Sequence, residues 1–341
     1  MGHRGVIVAA VTVAIVCCVS VFAPPKRYEV DGLSMAPGLL PDDLVETGWF
    51  PSRDRLRQPR RHERWILALP DDTSAIKRVA GLPGEMVSIR DGDLAIDGTT
   101  VLTPPDVLAE MASPVPEATI CSTNHADADR RWHRTVSMSS VLDDAAFAPS
   151  ERRLLMPVRE VGLTAVIRVP TTPSPEEPIH VRVGVGGFVI PWRLMASGRY
   201  AVVAGRLDGH VVGVAWPIAD GNGWREESRS MLPSQPPGAW DVARPWLPST
   251  ADADDTDDPQ PRLSLGMTAA GVPVDRGAAD AMIERVAVWR DILHRPAADG
   301  VVEWRLGTDQ AFVLGDFPSG SRDSRHWGPL GRDAFLHRAV P

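Results

Sequence analysis

At 341 residues the chain is long enough for about two domains of ~150 residues each. A formal net charge of −8 leaves no basic footprint for nucleic acid. Three cysteines, two of them (Cys17, Cys18) inside the first apolar run, exclude a disulfide scaffold, and 29 glycines with 32 prolines favour turns and short strands over long helices.

The first element is the run Gly5–Ala23, nineteen residues without a charge. A membrane-spanning helix needs about 20 mostly apolar residues, with about 17 as the lower limit. A cleavable signal peptide has the same basic start, but no A-x-A pattern ends the run, and Pro24 and Pro25 follow Ala23 directly. The run is therefore expected to be an uncleaved transmembrane signal anchor behind a short stretch at 1–4. Arg4 and the amino terminus face Lys26 and Arg27 across it, so the positive-inside rule is nearly balanced and charge does not set the orientation.

Residues 28–50 alternate short apolar stretches with Gly, Pro and Asp, which predicts strands and tight turns. An arginine-rich loop from Pro51 to Arg64 follows, read as a solvated face with contact to lipid headgroups as the alternative. Trp65–Leu69 and Ala75–Ala80 read as strands, Gly81–Gly84 as a turn, and Met86–Ile89 with Leu94–Ile96 as a hairpin about Asp91-Gly92. The pattern changes at Pro104: residues 104–160 are rich in loops, with one helical piece. Ala165–Val169, Ile179–Val185, Tyr200–Arg206 and His210–Trp216 are short, β-branched segments spaced by Gly or Pro, as in a sandwich or barrel. Residues 249–262 form an acidic, proline-containing linker, and Ala278–Leu293 is the best candidate for a helix in the soluble part. His125, His133 and the Asp127/Asp129 pair lack a metal-binding spacing, so no metal site and no cofactor are expected.

The chemistry lies at the two ends of the chain. Of 36 basic residues only Lys26 and Lys77 are lysines. Arg cannot release its proton at ordinary pH, whereas a buried Lys can. In Ser74-Ala75-Ile76-Lys77-Arg78-Val79 the alternation of a strand puts Ala75, Lys77 and Val79 on one face, which would hold the amine among apolar neighbours. Desolvation disfavours the ammonium and lets such a lysine act as a base near neutral pH. A Ser paired with a neutral Lys needs neither His nor Asp, and Ser34 lies in Gly32-Leu33-Ser34-Met35-Ala36-Pro37, eleven residues beyond the apolar run. A third block, Gly315-Asp316 through Ser321, Asp323 and Arg325 to Gly328, reads as a strand ending in a polar loop.

Together these blocks resemble bacterial type I signal peptidases, membrane-anchored Ser/Lys endopeptidases. The family pattern G-x-S-M-x-P-T-L followed by G-D is similar to Gly32–Leu39 with Asp42-Asp43. K-R-V-x-G-L-P-G-D-x-V with D-G-x-L-x-I-x-G is similar to Lys77–Val87 and Asp91–Gly98, and G-D-N-x-x-x-S-x-D-S-R-x-W-G to Gly315–Gly328. The resemblance covers about residues 5–103 and 301–341. It implies Ser34 as nucleophile, Lys77 as general base, Ser321 as the hydroxyl that orients the lysine, and Asp316, Asp323 and Arg325 as supports. The oxyanion would be held by the Ser34 N–H, because Gly32 occupies the position where some members carry a side-chain donor. Substrate would bind extended beside Glu29–Leu33 and Asp72–Ile76. Asp31, Gly32, Leu33, Met35, Ala75 and Ile76 are the expected contacts, with Met35 and Ile76 as pocket walls. Gly38 and Phe317 depart from the family's Thr and Asn.

The implied architecture is mostly β. The transmembrane helix at 5–23 precedes a catalytic core at 28–103 and 301–341, interrupted by a β-sandwich-like insert at 104–300. Ser34 would lie within about 36–40 Å of the bilayer, where a newly inserted signal segment is cut. The implied function is removal of signal peptides from secretory preproteins at the cell membrane, with residues 1–4 cytoplasmic and the catalytic part outside. The implied partners are preproteins and the lipid bilayer. Three other readings share these residues: a specialised Ser/Lys processing protease, a self-cleaving repressor, which the anchor and the acidic charge disfavour, and a tethered binding protein on an inactive protease core.

Overall fold

The computed structural model describes residues 25–48, 57–69, 73–115, 118–123, 132–137, 142–144, 155–170, 178–195, 197–219, 230–233, 235–246, 263–269, 272–273, 281–296 and 300–340. The apolar run at 5–23, the acidic stretch at 249–262, and His125, Asp127 and Asp129 lie outside the described residues, as does the start of the arginine-rich loop. Among the described residues no helix is long and apolar enough to cross a membrane.

The described chain is mostly β. Its first strands are β1 (Arg27–Glu29), β2 (Leu44–Thr47), β3 (Arg64–Ala68), β4 (Ser74–Gly81), β5 (Met86–Arg90), β6 (Asp93–Ile96) and β7 (Thr99–Thr100). A short helix, α1 (Pro105–Met111), opens the middle region with Pro105 in its first turn, where a missing N–H costs nothing. Then come β8 (Ser113–Pro114), β9 (Thr119–Thr123), β10 (Trp132–Ser137), β11 (Leu142–Asp144), β12 (Leu155–Pro157), β13 (Val161–Val169) and β14 (Ile179–Val185). They are followed by β15 (Phe188–Leu194), β16 (Gly198–Leu207), β17 (His210–Ile218), β18 (Val242–Pro245), β19 (Leu263–Ala269), β20 (Val272–Pro273) and β21 (Ile283–Arg290). The last elements are β22 (Glu303–Arg305), β23 (Gln310–Leu314), α2 (Ser324–Trp327), β24 (Leu330–Gly331) and β25 (Phe335–Val340).

The chain folds into two compact units. One takes the N-terminal part to Arg90, Leu94–Thr99 and everything from Arg295; the other takes Asp91–Asp93 and Thr100–His294. The first unit is built on a seven-stranded sheet in the order β1-β2-β25-β3-β4-β23-β24, with a second sheet in the order β22-β5-β6-β7. Trp65, Leu67, Val79, Val313 and Phe335 fill one core of the large sheet. Val30, Met35, Leu39, Val45, Ile66 and Ala339 fill another, beneath the loop that carries Ser34.

In the second unit two six-stranded sheets contribute to one hydrophobic core. Val161, Leu163, Ala165 and Ile167 of β13 come from one sheet, and Ile179, Val181, Val183 and Val185 of β14 from the other. The β14 pattern of buried and half-buried residues alternates strictly, as a strand with one face in a core requires.

Local backbone chemistry explains the tight connections. Asp91-Gly92, Asp97-Gly98 and Asp208-Gly209 each join neighbouring strands with both residues at positive φ, the two-residue turn that matches strand twist. In Leu82-Pro83-Gly84-Glu85, Gly84 has φ 84° and the Glu85 N–H donates to the Leu82 carbonyl, as a type II turn demands.

The expected helix at Ala278–Leu293 is corrected by the structure. Ile283–Arg290 is strand β21, paired antiparallel to β13 from Val161↔Arg290 to Ile167↔Ile283. Val286 and Val288 alternate with residues of the other face, and pairing to a central strand outweighs the helical spacing of the alanines upstream.

Candidate active site

Ser34 sits in the turn after Gly32, held from three directions. The Ala36 N–H donates to the Leu33 carbonyl, the Leu39 N–H to the Met35 carbonyl, and the Phe317 N–H to the Ser34 carbonyl at 3.1 Å. Met35, 1% exposed, anchors the loop in the core below. Lys77 lies in the middle of β4 opposite Trp65 of β3 and is 4% exposed.

Lys77 Nζ donates to Ser34 Oγ at 2.8 Å and to the Ile76 carbonyl at 3.1 Å. Burial pulls the amine down from its ordinary 10.5 to about 8; the charges of Asp323 and Asp316 oppose the shift and that of Arg325 adds to it. The arrangement offers a hydroxyl beside an amine that loses its proton near neutral pH.

Pairing of β23 with β4, with Leu314 opposite Arg78, brings Gly315 to the level of Lys77. A side chain at Gly315 is excluded: its Cβ would lie 2.5 Å from the Ser34 carbonyl oxygen and 2.2 Å from Ser321 Oγ. Ser321 is therefore packed against the same glycine as the Ser34 loop. Its Oγ is buried and has no hydrogen-bond partner among the described residues. Ser321 and Lys77 share the neighbourhood without a bond between them; the amine's partners are Ser34 and Ile76.

Two buried ion pairs brace the loop. Arg78 Nε and Nη2 donate to the two carboxylate oxygens of Asp316 at 2.8 and 2.6 Å, and Arg78 Nη1 donates to the His62 carbonyl. Asp323 receives Arg325 Nε at 2.8 Å and Nη2 at 2.7 Å, and its Oδ2 also accepts the Gly315 N–H. Although burial works against it, these donors hold the Asp323 carboxyl well below the usual carboxylate range. Arg325 further donates to the carbonyls of Pro318 and Arg295. Each arginine satisfies its partner bidentately, the geometry in which a buried pair can offset its desolvation.

Of the expected substrate contacts, Asp31, Gly32 and Leu33 are exposed, Leu33 by 50%, and Ala75 and Ile76 are half-buried. Met35 differs: its side chain is core rather than open wall. At Phe317 the side chain packs toward Gly320, while the backbone N–H is the group that holds the Ser34 loop.

Sequence reasoning left two residues of the site without a role. Arg78 follows Lys77 and so points to the opposite face of β4, where Asp316 meets it across 238 positions of sequence. His62 lies against it, its imidazole lowered to about 4 by burial and then by Arg78 and Arg61, hence neutral at working pH. Alternation alone predicts the face of Arg78; nothing local predicts its partner. Among the described residues the set of three metal-ligating side chains that come together is Asp93, Glu160 and Asp208, in the second unit.

Comparison with known proteins points in one direction. Residues 3–148 match the family described as signal peptidase, peptidase S26. The chain is also 26% identical over 147 residues to signal peptidase I V of Bacillus subtilis (strain 168), a span of 41% of this chain and 82% of that protein.

Proposed function

We propose that the chain, whose residues 3–148 match the signal peptidase S26 family, is a membrane-anchored endopeptidase that removes signal peptides from exported preproteins through a Ser34/Lys77 dyad. The observation that carries the reading is the 2.8 Å contact between Ser34 Oγ and a buried amine lowered to about 8.

The reaction is acyl transfer. Neutral Lys77 accepts the Ser34 proton as Oγ attacks the scissile carbonyl, giving a tetrahedral oxyanion that faces the Ser34 N–H. Collapse of that intermediate breaks the peptide bond, and the Lys77 ammonium returns the proton to the leaving amine. Water, deprotonated by Lys77, then hydrolyses the Ser34 ester. Ser321 Oγ, buried against Gly315 and without a hydrogen-bond partner among the described residues, is the second hydroxyl of the site and acts as the positioning residue of the ammonium. Asp316, Asp323 and Arg325 keep the 315–325 loop closed over the dyad.

The substrate lies extended along Glu29–Leu33 and the start of β4, with Asp31, Gly32, Leu33, Ala75 and Ile76 as contacts and Met35 as the floor beneath. The run at 5–23 supplies the anchor, and the catalytic unit lies outside the cytoplasm, beside the bilayer in which its preprotein substrates are held.

The test is cleavage of a preprotein with an A-x-A junction by the full-length protein in detergent, with Ser34→Ala alongside. Cleavage at the junction by the wild type alone is the expected result. Silence of both proteins across several preproteins would overturn the reading in favour of a specialised substrate or an inactive core.

A further inference from the structure

Four carboxylates from distant parts of the sequence converge in the second unit. Asp93 follows the Asp91-Gly92 turn, Glu160 precedes β13, Asp208 lies in the turn between β16 and β17, and Asp291 follows β21. One carboxylate oxygen from each of Asp93, Glu160 and Asp208 lies within 4.8 Å of the others. The backbone orients these groups: Glu160 Oε2 and Oε1 accept the N–H groups of Asp208 and Gly209 at 2.8 and 2.7 Å, and Asp208 Oδ2 accepts the Thr103 N–H at 2.6 Å.

Asp291 supplies an independent sign of a ligand. It is 6% exposed, and its Oδ1 has no hydrogen-bond partner among the described residues. Its N–H donates to the Glu160 carbonyl at 3.1 Å, one step beyond the Val161↔Arg290 pair, so its side chain leaves the sheet on the same side as that of Glu160. The Asp291 charge is felt by those of Asp208, Glu160 and Asp93. A buried carboxylate oxygen without a donor is costly unless something positive meets it.

The cation at hand is insufficient. The charge of Arg206 acts on Glu160 and Asp93, but its guanidinium is stacked over the Trp246 ring at 4.8 Å and its Nε bonds to none of the four carboxylates. Asp91 adds a further negative charge beside Asp93. The Arg206 guanidinium therefore leaves an excess of negative charge at the cluster.

We propose that Asp93, Glu160, Asp208 and Asp291 form a binding site for a hard divalent cation of the Ca²⁺ class, which ties together the turn at 91–93, the start of β13, the β16–β17 turn and the end of β21. The donor set is all oxygen, which suits Ca²⁺, Mg²⁺ or Mn²⁺ and not a thiolate- or imidazole-seeking metal. Oxygens bound to one Ca²⁺ at 2.3–2.6 Å lie at most about 5 Å apart, a limit met by the oxygens of Asp93, Glu160 and Asp208, which Asp291 would join from beside Glu160.

The experiment uses the full-length protein in detergent, stripped with a chelator and titrated with CaCl₂ by calorimetry and by thermal unfolding. Trp240, whose Nε1 donates to the Thr103 carbonyl beside Asp208, provides a sensitiser for Tb³⁺ luminescence at the same site. Expected are one site per chain, an unfolding midpoint raised by about 4 °C at Ca²⁺ roughly tenfold above its dissociation constant, and binding weakened about tenfold or more in Asp93→Asn and Glu160→Gln. Asp93 is half-buried at a turn, so its variant decides the matter if the Glu160 variant does not fold. The proposal is overturned if about 5 mM Ca²⁺, Mg²⁺ and Mn²⁺ all fail to bind or to shift unfolding, or if Asp93→Asn binds as tightly as the wild type. None of these readouts depends on peptidase activity.

Discussion

Replacing Lys77 by methionine should abolish turnover and make the catalytic unit more stable. Lys77 is 4% exposed, and the fall of its amine from 10.5 to about 8 means that the folded state disfavours the ammonium by roughly 3 kcal/mol. Methionine removes that cost at similar length. It also removes the hydrogen bonds to Ser34 Oγ and the Ile76 carbonyl, worth about 1 kcal/mol each. The balance is a gain of about 1 kcal/mol, a few degrees in Tm. Loss of a general base costs about 10²–10⁴-fold in rate. Lys77→Arg isolates the chemistry from the charge: a guanidinium keeps its proton at any working pH, so this variant should be as inactive as the methionine one, and less stable than the wild type because a larger cation is buried without a carboxylate. Preprotein cleavage and thermal unfolding at pH 7 on the three proteins read both effects. Activity of Lys77→Arg within about threefold of wild type would refute Lys77 as base, and a Lys77→Met protein that unfolds more easily than wild type would refute the desolvation argument.

Two further expectations concern the same site. Because only the neutral amine accepts the serine proton, kcat/KM should rise about tenfold per pH unit and level off above about 8, as measured in a pH–rate profile. The folded-state value lies below the unfolded one, so the unfolded chain binds more protons between about 8 and 10.5; stability therefore rises with pH across that window by roughly 3 kcal/mol, and Lys77→Met should lack the rise. Gly315→Ala, whose Cβ would press within 2.5 Å of the Ser34 carbonyl oxygen, should lower kcat about 100-fold by displacing the nucleophile. Gly48→Ala, whose Cβ meets nothing within 4 Å, should turn over like the wild type, so equal rates in the two variants would dismiss the steric account.

What the sequence made legible follows from the range of the interactions involved. Strand β4 could be read because alternation is local, and the Asp91-Gly92 turn because its two residues are themselves the cause of the turn. The blocks around Ser34, Lys77 and Ser321 were readable as short patterns that carry their own geometry. By contrast, Ala278–Leu293 reads as a helix until β13 is known to lie beside it, since the partner strand is more than 100 residues upstream. The Arg78–Asp316 pair fails the same way: two ordinary charged residues, 238 positions apart, become one unit only when β23 docks on β4. The four carboxylates of the second unit carry no motif spacing at all, because each belongs to a different turn or strand end.

The place of β25 in the large sheet has a consequence for timing. It lies between β2 and β3, so the strand beside the Ser34 loop and the strands that carry Lys77 are joined through residues 335–340. A ribosome adding about 5–20 residues per second needs roughly 15–50 s to travel from Lys77 to Val340. Throughout that interval both members of the dyad have been synthesised, yet the strand that connects their halves of the sheet has not, and Arg78 waits for Asp316 as well. Under the proposed reading, a product that loses β25 keeps Ser34 and Lys77 without the strand that joins their halves of the sheet, and is expected to be inactive.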